Sequence, residues 1–228
     1  MCFDIVYSRT PVSLVGGGDC TPEDLRRARA LAPKVVAADG GAEVLRRANV
    51  APEAVIGDCD SLTSDTRAWL ETGILHQIDE QDSTDFDKVM RHVRAPLLLG
   101  VGFLGARLDH QLAVLTTLVK RPDRRCLLLG GADIVFVCPP RISLDVDAGT
   151  RVSLYPLAPV TGRSKGLHWP IDGLTMSPDT RVGTSNAATG QVHLNVDRPA
   201  MLVILPAASF ERIVPDLWQC SATWPARA

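Results

Sequence analysis

The sequence lacks the cysteine spacings that mark structural zinc sites and disulfide frameworks. No C-x-x-C pair occurs, and no cysteine has a histidine at a zinc-like spacing, so neither kind of site is expected. Reduced thiols are the better interpretation of the six cysteines, which are Cys2, Cys20, Cys59, Cys126, Cys138 and Cys220. Two of them, Cys126 and Cys138, fall inside apolar runs and are predicted to be small core residues.

The sequence also has no apolar run long enough for a membrane span, and no basic N-terminal region followed by an apolar stretch. A formal net charge of −2 and scattered basic residues give no indication of a nucleic-acid or membrane partner. Internal repeats and low-complexity segments are absent as well. We therefore expect a soluble cytoplasmic protein with neither kind of partner.

Strand and helix patterns alternate up to about residue 130. Apolar runs predict strands at residues 12–15, 34–38, 54–56, 75–78, 97–103 and 125–129. Capping residues and helical periodicity predict helices at residues 21–31, 41–48, 65–71, 84–93 and 109–120. This alternation predicts an α/β fold with a mostly parallel, Rossmann-like sheet flanked by helices. In such a sheet, ligands bind outside the carboxyl ends of the strands.

The pattern changes in the second half of the chain. Short apolar runs at residues 134–137, 142–146, 151–157, 191–196 and 201–205 are separated by Pro, Gly, Asp and Asn, without helical periodicity. They predict an all-β domain, a sandwich or a flattened barrel. We place the α/β domain at residues 1–138, the β-sandwich domain at 139–208 and a tail at 209–228. The tail either packs on the body or is a frayed end.

Acidic residues follow the predicted strands. The run at residues 54–56 ends in Gly57, and Asp58 and Asp60 follow. If the extended conformation continues, both side chains point to one side. Their charges repel, and each raises the pKa of the other unless a cation such as Mg²⁺ lies between them. The alternative is a plain turn.

The same design recurs at residues 35–41, where Asp39 follows an apolar strand and precedes two glycines. A third acidic cluster occupies residues 79–88, at the start of a predicted helix. Three acidic segments at strand ends suggest one shared site.

A longer series of motifs contains these segments. They occur in the order 38–42, 56–61, 79–88, 105–110, 166–171 and 183–186. Together they resemble the motif set of the thiamine pyrophosphokinase (thiamine diphosphokinase) family, and the last two are similar to its thiamine-side motifs. The resemblance covers residues 12–205, and hence both predicted domains.

The resemblance implies transfer of a pyrophosphoryl group from ATP to the hydroxyl of thiamine, giving thiamine diphosphate and AMP. It also implies a homodimer, with thiamine bound where the α/β domain of one subunit meets the β domain of the other. Three alternatives stay open: pyrophosphorylation of a hydroxymethylpterin, a catalytically silent thiamine- or nucleotide-binding protein, and metal-dependent hydrolysis of a phosphate compound.

Positioning and charge neutralisation supply most of the catalysis in such a transfer. Mg²⁺ that bridges phosphate oxygens needs carboxylates on its other side. The candidate ligands are Asp39, Asp58, Asp60 and Asp85, with Asp82 as an outer candidate. For Asp82 and Asp85 the alternative is helix capping. The catalytic candidates are Asp58, Asp60, Asp85 and Arg107. Arg107 is included because arginine can hold phosphate through two parallel hydrogen bonds.

The nucleotide side has further candidates, which are Gly17, Asp39, Gly40, Gly41, Gln81, Thr84, Lys88 and Asp109. The glycines leave N–H groups free to meet phosphate at a helix start, although a tight turn is a rival interpretation. Lys88 is either a phosphate contact or a surface helix residue. Asp109 contacts nucleotide, orients Arg107 or caps the following helix.

On the thiamine side, Trp169 offers a flat π surface for a cationic heteroaromatic ring, or is a core or interface tryptophan. Ser185 and Asn186 bind a pyrimidine ring or form a β-turn. Two residues depart from the family pattern. Cys59 stands where the family usually has an aromatic or bulky apolar residue, and is interpreted as a packing residue. Ala106 replaces a glycine and restricts its loop if a positive φ is needed.

Overall fold

The computed structural model describes residues 4–227, so Cys2 lies outside the described residues. The chain divides into two compact units. The first comprises the described residues up to Thr117 together with Leu128–Gly131, and the second comprises Leu118–Leu127 and the described residues from Ala132 onward. The domain boundaries placed after residues 138 and 208 stay predictions. Across residues 4–227, none of the helices combines the length and the apolar character needed to cross a membrane.

Strands and helices alternate along the first part of the chain. The strands are β1 (Val6–Tyr7), β2 (Val12–Val15), β3 (Lys34–Ala38), β4 (Ala54–Gly57), β5 (Leu75–Gln77), β6 (Val93–Arg94), β7 (Leu98–Val101) and β8 (Cys126–Gly130). The helices are α1 (Pro22–Leu31), α2 (Gly41–Arg47), α3 (Ser64–Trp69), α4 (Asp85–His92) and α5 (Leu108–Lys120). The alternation confirms the prediction, except that the sequence did not indicate the short pair β1 and β6.

The sheet of this unit is parallel, as predicted. β2 pairs in parallel with β7, β3 with β4, and β4 with β5. Every residue of β2, β4 and β7 is buried, which is typical of strands covered on both faces. Because parallel strands run in one direction, the loops that follow β2, β3, β4 and β7 leave the sheet at the same edge.

The second part of the chain forms antiparallel strands. These are β9 (Asp133–Val137), β10 (Arg141–Leu144), β11 (Arg151–Pro156), β12 (Val160–Leu167), β13 (Thr175–Met176), β14 (Gly183–Val196) and β15 (Met201–Pro206). The long strand β14 pairs with β10, β11 and β12, and β15 pairs with β11 and β9. The prediction of a β-rich second half is confirmed, although β12, β13 and the first half of β14 were missed.

The C-terminal tail packs on the second unit and is not a frayed end. After a short 3-10 turn it forms α6 (Phe210–Gln219), which buries four apolar side chains. Beyond the helix, the Trp224 indole N–H donates to the Cys138 carbonyl at 2.9 Å. The Arg125 guanidinium donates to the carbonyls of Leu217 at 2.6 Å and Ala222 at 3.0 Å. The tail therefore belongs to the core of this unit.

Truncating the buried face of α6 should destabilise the protein. Phe210 is 0% exposed, whereas Trp218 on the same helix is 45% exposed. We expect Phe210→Ala to lower the free energy of unfolding by about 3–5 kcal/mol through cavity formation, and Trp218→Ala by about 0.5 kcal/mol or less. Urea denaturation followed by circular dichroism measures both. Equal losses in the two variants would contradict the packing of α6.

Candidate active site

The loops at the carboxyl edge of the parallel sheet enclose a cavity of about 490 Å³ in the first unit. The glycine turn 16–18 follows β2, Asp39 follows β3, and Asp58 follows β4. The start of α4 and the loop after β7 complete the wall. Gln81, Thr84, Asp85, Lys88 and Arg107 line it, as do Gly17 and Gly40. The predicted nucleotide-side residues are thus brought together, apart from Asp109 and Gly41, which are not among the lining residues.

Asp39 is buried and held by the backbone of the neighbouring strand. Its N–H donates to the Ile56 carbonyl at 3.0 Å, and its φ is +40°. A Cβ on Gly57 would lie 2.7 Å from the Asp39 Cβ, so only glycine permits this approach. One carboxylate oxygen accepts the Ser61 hydroxyl. The other, Oδ1, is buried and has no hydrogen-bond partner within the described part of the chain.

The segment Asp58–Cys59–Asp60 turns, so the extended conformation does not continue past β4. Cys59 has a φ of +63°, and the Asp60 N–H donates back to Asp58 Oδ1 at 3.3 Å. The Cys59 side chain is buried, and burial, followed by the charge of Asp39, raises the pKa of its thiol to about 11. The packing interpretation of Cys59 agrees with this. The turn therefore forms part of the acidic site, and the two interpretations of this segment do not exclude each other.

Three of the four predicted metal ligands converge. Asp39, Asp58 and Asp60 each offer an oxygen, and these oxygens lie within 4.8 Å of one another. The charge of Asp58, followed by burial, raises the pKa of the Asp60 carboxyl. Burial also raises the pKa of Asp58, but the Asp60 amide and Lys88 outweigh it and leave that pKa below its ordinary value.

An all-oxygen set of three acids suits a hard divalent cation. The buried Oδ1 of Asp39, which lacks a partner among the described residues, fits the same interpretation, because buried carboxylate oxygens normally have one. The residues present therefore fit Mg²⁺.

Lys88 is buried, so its interpretation as a surface helix residue is wrong. The residue is 1% exposed, and its Nζ lies 3.2 Å from Asp85 Oδ1 and 3.8 Å from Asp58 Oδ2. Asp85 is outside the group of three acids and is joined to it through this ammonium. Burial raises the pKa of the Asp85 carboxyl, and Lys88 partly offsets the effect. Lys88 thus supplies positive charge inside an acidic site.

Thr84 is the N-cap residue of α4, so neither Asp82 nor Asp85 is the N-cap, although Asp85 adds negative charge to the first turn. The Thr84 hydroxyl accepts the Asp87 N–H at 3.3 Å. Asp82 is exposed and is not among the residues that line the cavity. Gln81 lines the cavity together with Asp58 and contributes to lowering the pKa of the Asp58 carboxyl. Thr84 therefore fixes the start of α4, and Gln81 lies beside the acidic segment.

Arg107 and Asp109 form an exposed pair with an N–O distance of 2.6 Å. Of the three roles considered for Asp109, the structure shows the orientation of Arg107. Asp109 lies in the first turn of α5, which begins at Leu108, and its Oδ1 accepts the His110 N–H at 2.9 Å, so the structure also agrees with a capping contact. Ala106 has a φ of +55°, so the departure from glycine falls at a position where a methyl group is strained.

Ser61 was missed as a site residue. It sits in the quoted segment 56–61, but neither its residue type nor its spacing indicated that its hydroxyl would donate to Asp39. The sequence feature that could have identified Ser61 is its position next to the acidic pair at the end of β4.

The thiamine-side candidates lie in the second unit. The Trp169 N–H donates to Asn186 Oδ1 at 3.1 Å, and Asn186 Nδ2 donates to the Trp169 carbonyl at 2.7 Å. Asn186 is buried, whereas Trp169 is 59% exposed, so the core interpretation of this tryptophan is wrong. Ser185 and Asn186 belong to β14, which excludes the β-turn. Asn186 uses its amide to hold Trp169 and presents the ring to solvent.

The chain combines a parallel α/β unit, which has a carboxylate cluster at its strand ends, with an antiparallel β unit. This combination defines a class of two-part α/β–β proteins. Two family models match this chain. Residues 26–128 match "Thiamin pyrophosphokinase, catalytic domain", and residues 141–201 match "Thiamin pyrophosphokinase, vitamin B1 binding domain". The chain belongs to the thiamin pyrophosphokinase family, as its motifs predicted.

Individual relatives agree with this assignment. Thiamine pyrophosphokinase 1 of Arabidopsis thaliana is 27% identical over 154 residues, which are 59% of this chain and 58% of that protein. The chain thus spans about 58% of the length of this relative. Thiamine pyrophosphokinase 3 of Oryza sativa subsp. japonica is 27% identical over 163 residues, 63% of this chain and 60% of that protein.

Solved structures share the fold. The thiamin pyrophosphokinase of Candida albicans superposes with a TM-score of 0.73 at 15% identity, over 88% of this chain and 93% of that chain. The enzyme of Geobacillus thermodenitrificans gives 0.70 at 23% identity, over 86% and 97%. The predicted fold class is therefore confirmed.

Removing the Asn186 amide should release Trp169. In Asn186→Ala, the Trp169 N–H and carbonyl lose their partner, so we expect faster hydrogen exchange of the Trp169 amide and a stability loss of about 1 kcal/mol. Hydrogen–deuterium exchange with mass spectrometry measures the first effect. Ser185→Ala is the matched control, and its exchange should equal that of the unchanged protein. Unaltered exchange in Asn186→Ala would refute the positioning role.

Proposed function

We propose that this protein transfers the pyrophosphoryl group of ATP to the hydroxyl of thiamine, giving thiamine diphosphate and AMP. The observation that carries the proposal is the convergence of Asp39, Asp58 and Asp60 at the strand ends of the unit that matches the catalytic-domain model. The match of the second unit to the vitamin B1 binding model supports thiamine as the acceptor. A merely binding protein would not need three carboxylates held together against their repulsion.

The acids are proposed to hold Mg²⁺. Asp39, Asp58 and Asp60 would share it, and Asp85 is proposed as a further ligand on the other side of Lys88. When bound, Mg²⁺ would neutralise charge on the phosphate oxygens and so favour attack of the hydroxyl on phosphorus. The backbone of this chain prepares that role, because the hydrogen bonds of the Asp39 and Asp60 amides hold both residues in place.

The cationic side chains are proposed to contact the phosphates. Buried Lys88 places its ammonium between Asp58 and Asp85, where it can also face a phosphate oxygen. Arg107 lines the cavity with its guanidinium exposed and can hold phosphate through two hydrogen bonds. The remaining proposed nucleotide contacts are Gly17, Gly40, Gly41, Gln81, Thr84 and Asp109. A loose transition state would need little help from a general base.

The thiamine side is proposed to centre on Trp169, whose exposed ring suits a cationic heteroaromatic ligand. Ser185 would contribute polar contacts, and Asn186 would hold the tryptophan. We propose a homodimer in which thiamine binds between the α/β domain of one copy and the β domain of the other. A cytoplasmic location is proposed as well, because the cysteine spacings of the sequence do not indicate a disulfide framework.

Incubation with ATP, Mg²⁺ and thiamine should yield AMP and thiamine diphosphate, separated by liquid chromatography. Asp58→Asn and Asp60→Asn should each lower turnover about 100-fold or more, because charge neutralisation is lost where the transition state needs it. Asp65→Asn, an exposed acid on α3, is the control and should keep full activity. ADP or free phosphate as the product would exclude the proposed transfer.

The same acids should link Mg²⁺ to stability. At a concentration of about 100 times its Kd, Mg²⁺ should add about 2.7 kcal/mol to the free energy of unfolding, seen as a rise in Tm by differential scanning fluorimetry. Asp39→Asn should abolish this rise, whereas Asp65→Asn should preserve it. Without Mg²⁺, Asp60→Asn should melt no earlier than the unchanged protein, because the substitution removes repulsion from Asp58. A Tm that rises equally in all variants would disprove the metal site.

A further inference from the structure

The loop that carries Arg107 has an unfavourable backbone. Gly105 has a φ of +86° and Ala106 a φ of +55°. Glycine adopts such values without strain, but the methyl group of alanine disfavours them. A non-glycine residue persists in this region only where its surroundings hold it. Some other part of the chain must therefore fix this loop.

Asp19 supplies the contact. Its Oδ2 accepts the Ala106 N–H at 2.9 Å, across 87 residues of sequence. The carboxylate also packs against Gly105, where a Cβ would lie 2.6 Å from the same oxygen. The contact therefore reaches both residues that precede Arg107.

The sheet explains why these two segments meet. β2 and β7 pair in parallel and end level with each other, at Val15 and Val101. The loops that follow them leave side by side, and the Gly18 N–H donates to the Gly102 carbonyl at 2.9 Å. Asp19 comes next in the chain and reaches the Ala106 end of the second loop. The two bonds join the glycine turn to the Arg107 loop at both of its ends.

We propose that Asp19 is a positioning residue that fixes the loop 105–107 and so directs Arg107 toward the phosphates of the nucleotide. The proposal rests on the function proposed above. Asp19 lies outside both segments matched by the family models, and the motifs of the sequence did not single it out. Arg107 also pairs with Asp109, which lies two residues further along the chain in the first turn of α5.

Limited trypsin digestion tests the fixing of the loop without any ligand. Trypsin cleaves after Arg107, and mass spectrometry follows that cut relative to cuts at other arginines. Asp19→Ala should speed the Arg107 cut about tenfold, and Asp19→Asn, which keeps an acceptor oxygen, should stay within about twofold of the unchanged protein. Glu71→Ala, an exposed acid elsewhere in the first unit, is the control. A rate in Asp19→Ala equal to that of the control would overturn the proposal.

Calorimetric titration with ATP and Mg²⁺ tests the action through Arg107. Asp19→Ala and Arg107→Ala should each raise the Kd about tenfold, and the double variant should bind no more weakly than Arg107→Ala alone. Additive losses, or tight binding by Asp19→Ala, would overturn the positioning role. Absence of thiamine diphosphate formation would count against the proposed function only, because both measurements here are independent of turnover.

Discussion

Repulsion among three carboxylates is the constraint around which the site is built. Asp39, Asp58 and Asp60 bring oxygens within 4.8 Å of one another, a distance at which free carboxylates would separate. Backbone hydrogen bonds hold them there, because the Asp39 N–H donates to the Ile56 carbonyl and the Asp60 N–H donates to the Asp58 carboxylate. Gly57 permits the approach of Asp39. A fold maintains such an arrangement at a cost to stability, which is a strong physical argument for a cation in its function.

The parallel sheet explains how distant residues come together. Each strand delivers its following loop to the same edge, so Gly17, Asp39 and Asp58 meet although they are far apart in the chain. The loop after β7 adds Arg107, and α4 adds Lys88. Positive charge thus enters an acidic cavity from two further elements. The second unit contributes differently: the paired hydrogen bonds of Asn186 hold Trp169 with its ring exposed.

Much of this arrangement could be predicted from sequence. Thr21 with Pro22 marked the start of α1, and the runs before Asp39 and Asp58 marked buried strands, because these features act locally. Strand β12 was missed since Gly162, Arg163 and Lys165 interrupt its apolar pattern. Helix α6 contains Pro215, which disfavours helix interiors. The burial of Lys88 and the positive φ of Cys59 depend on tertiary contacts, so neither property could be predicted from the residue type.

Asp39, Asp58 and Asp60 are proposed to share one divalent cation with the phosphates of a nucleotide. The most direct test is an anomalous difference map from crystals grown with Mn²⁺ and a non-hydrolysable ATP analogue. We predict one strong peak in contact with oxygens of all three carboxylates and of the phosphates. A nucleotide bound away from these acids, or Mn²⁺ peaks only elsewhere, would contradict the claim.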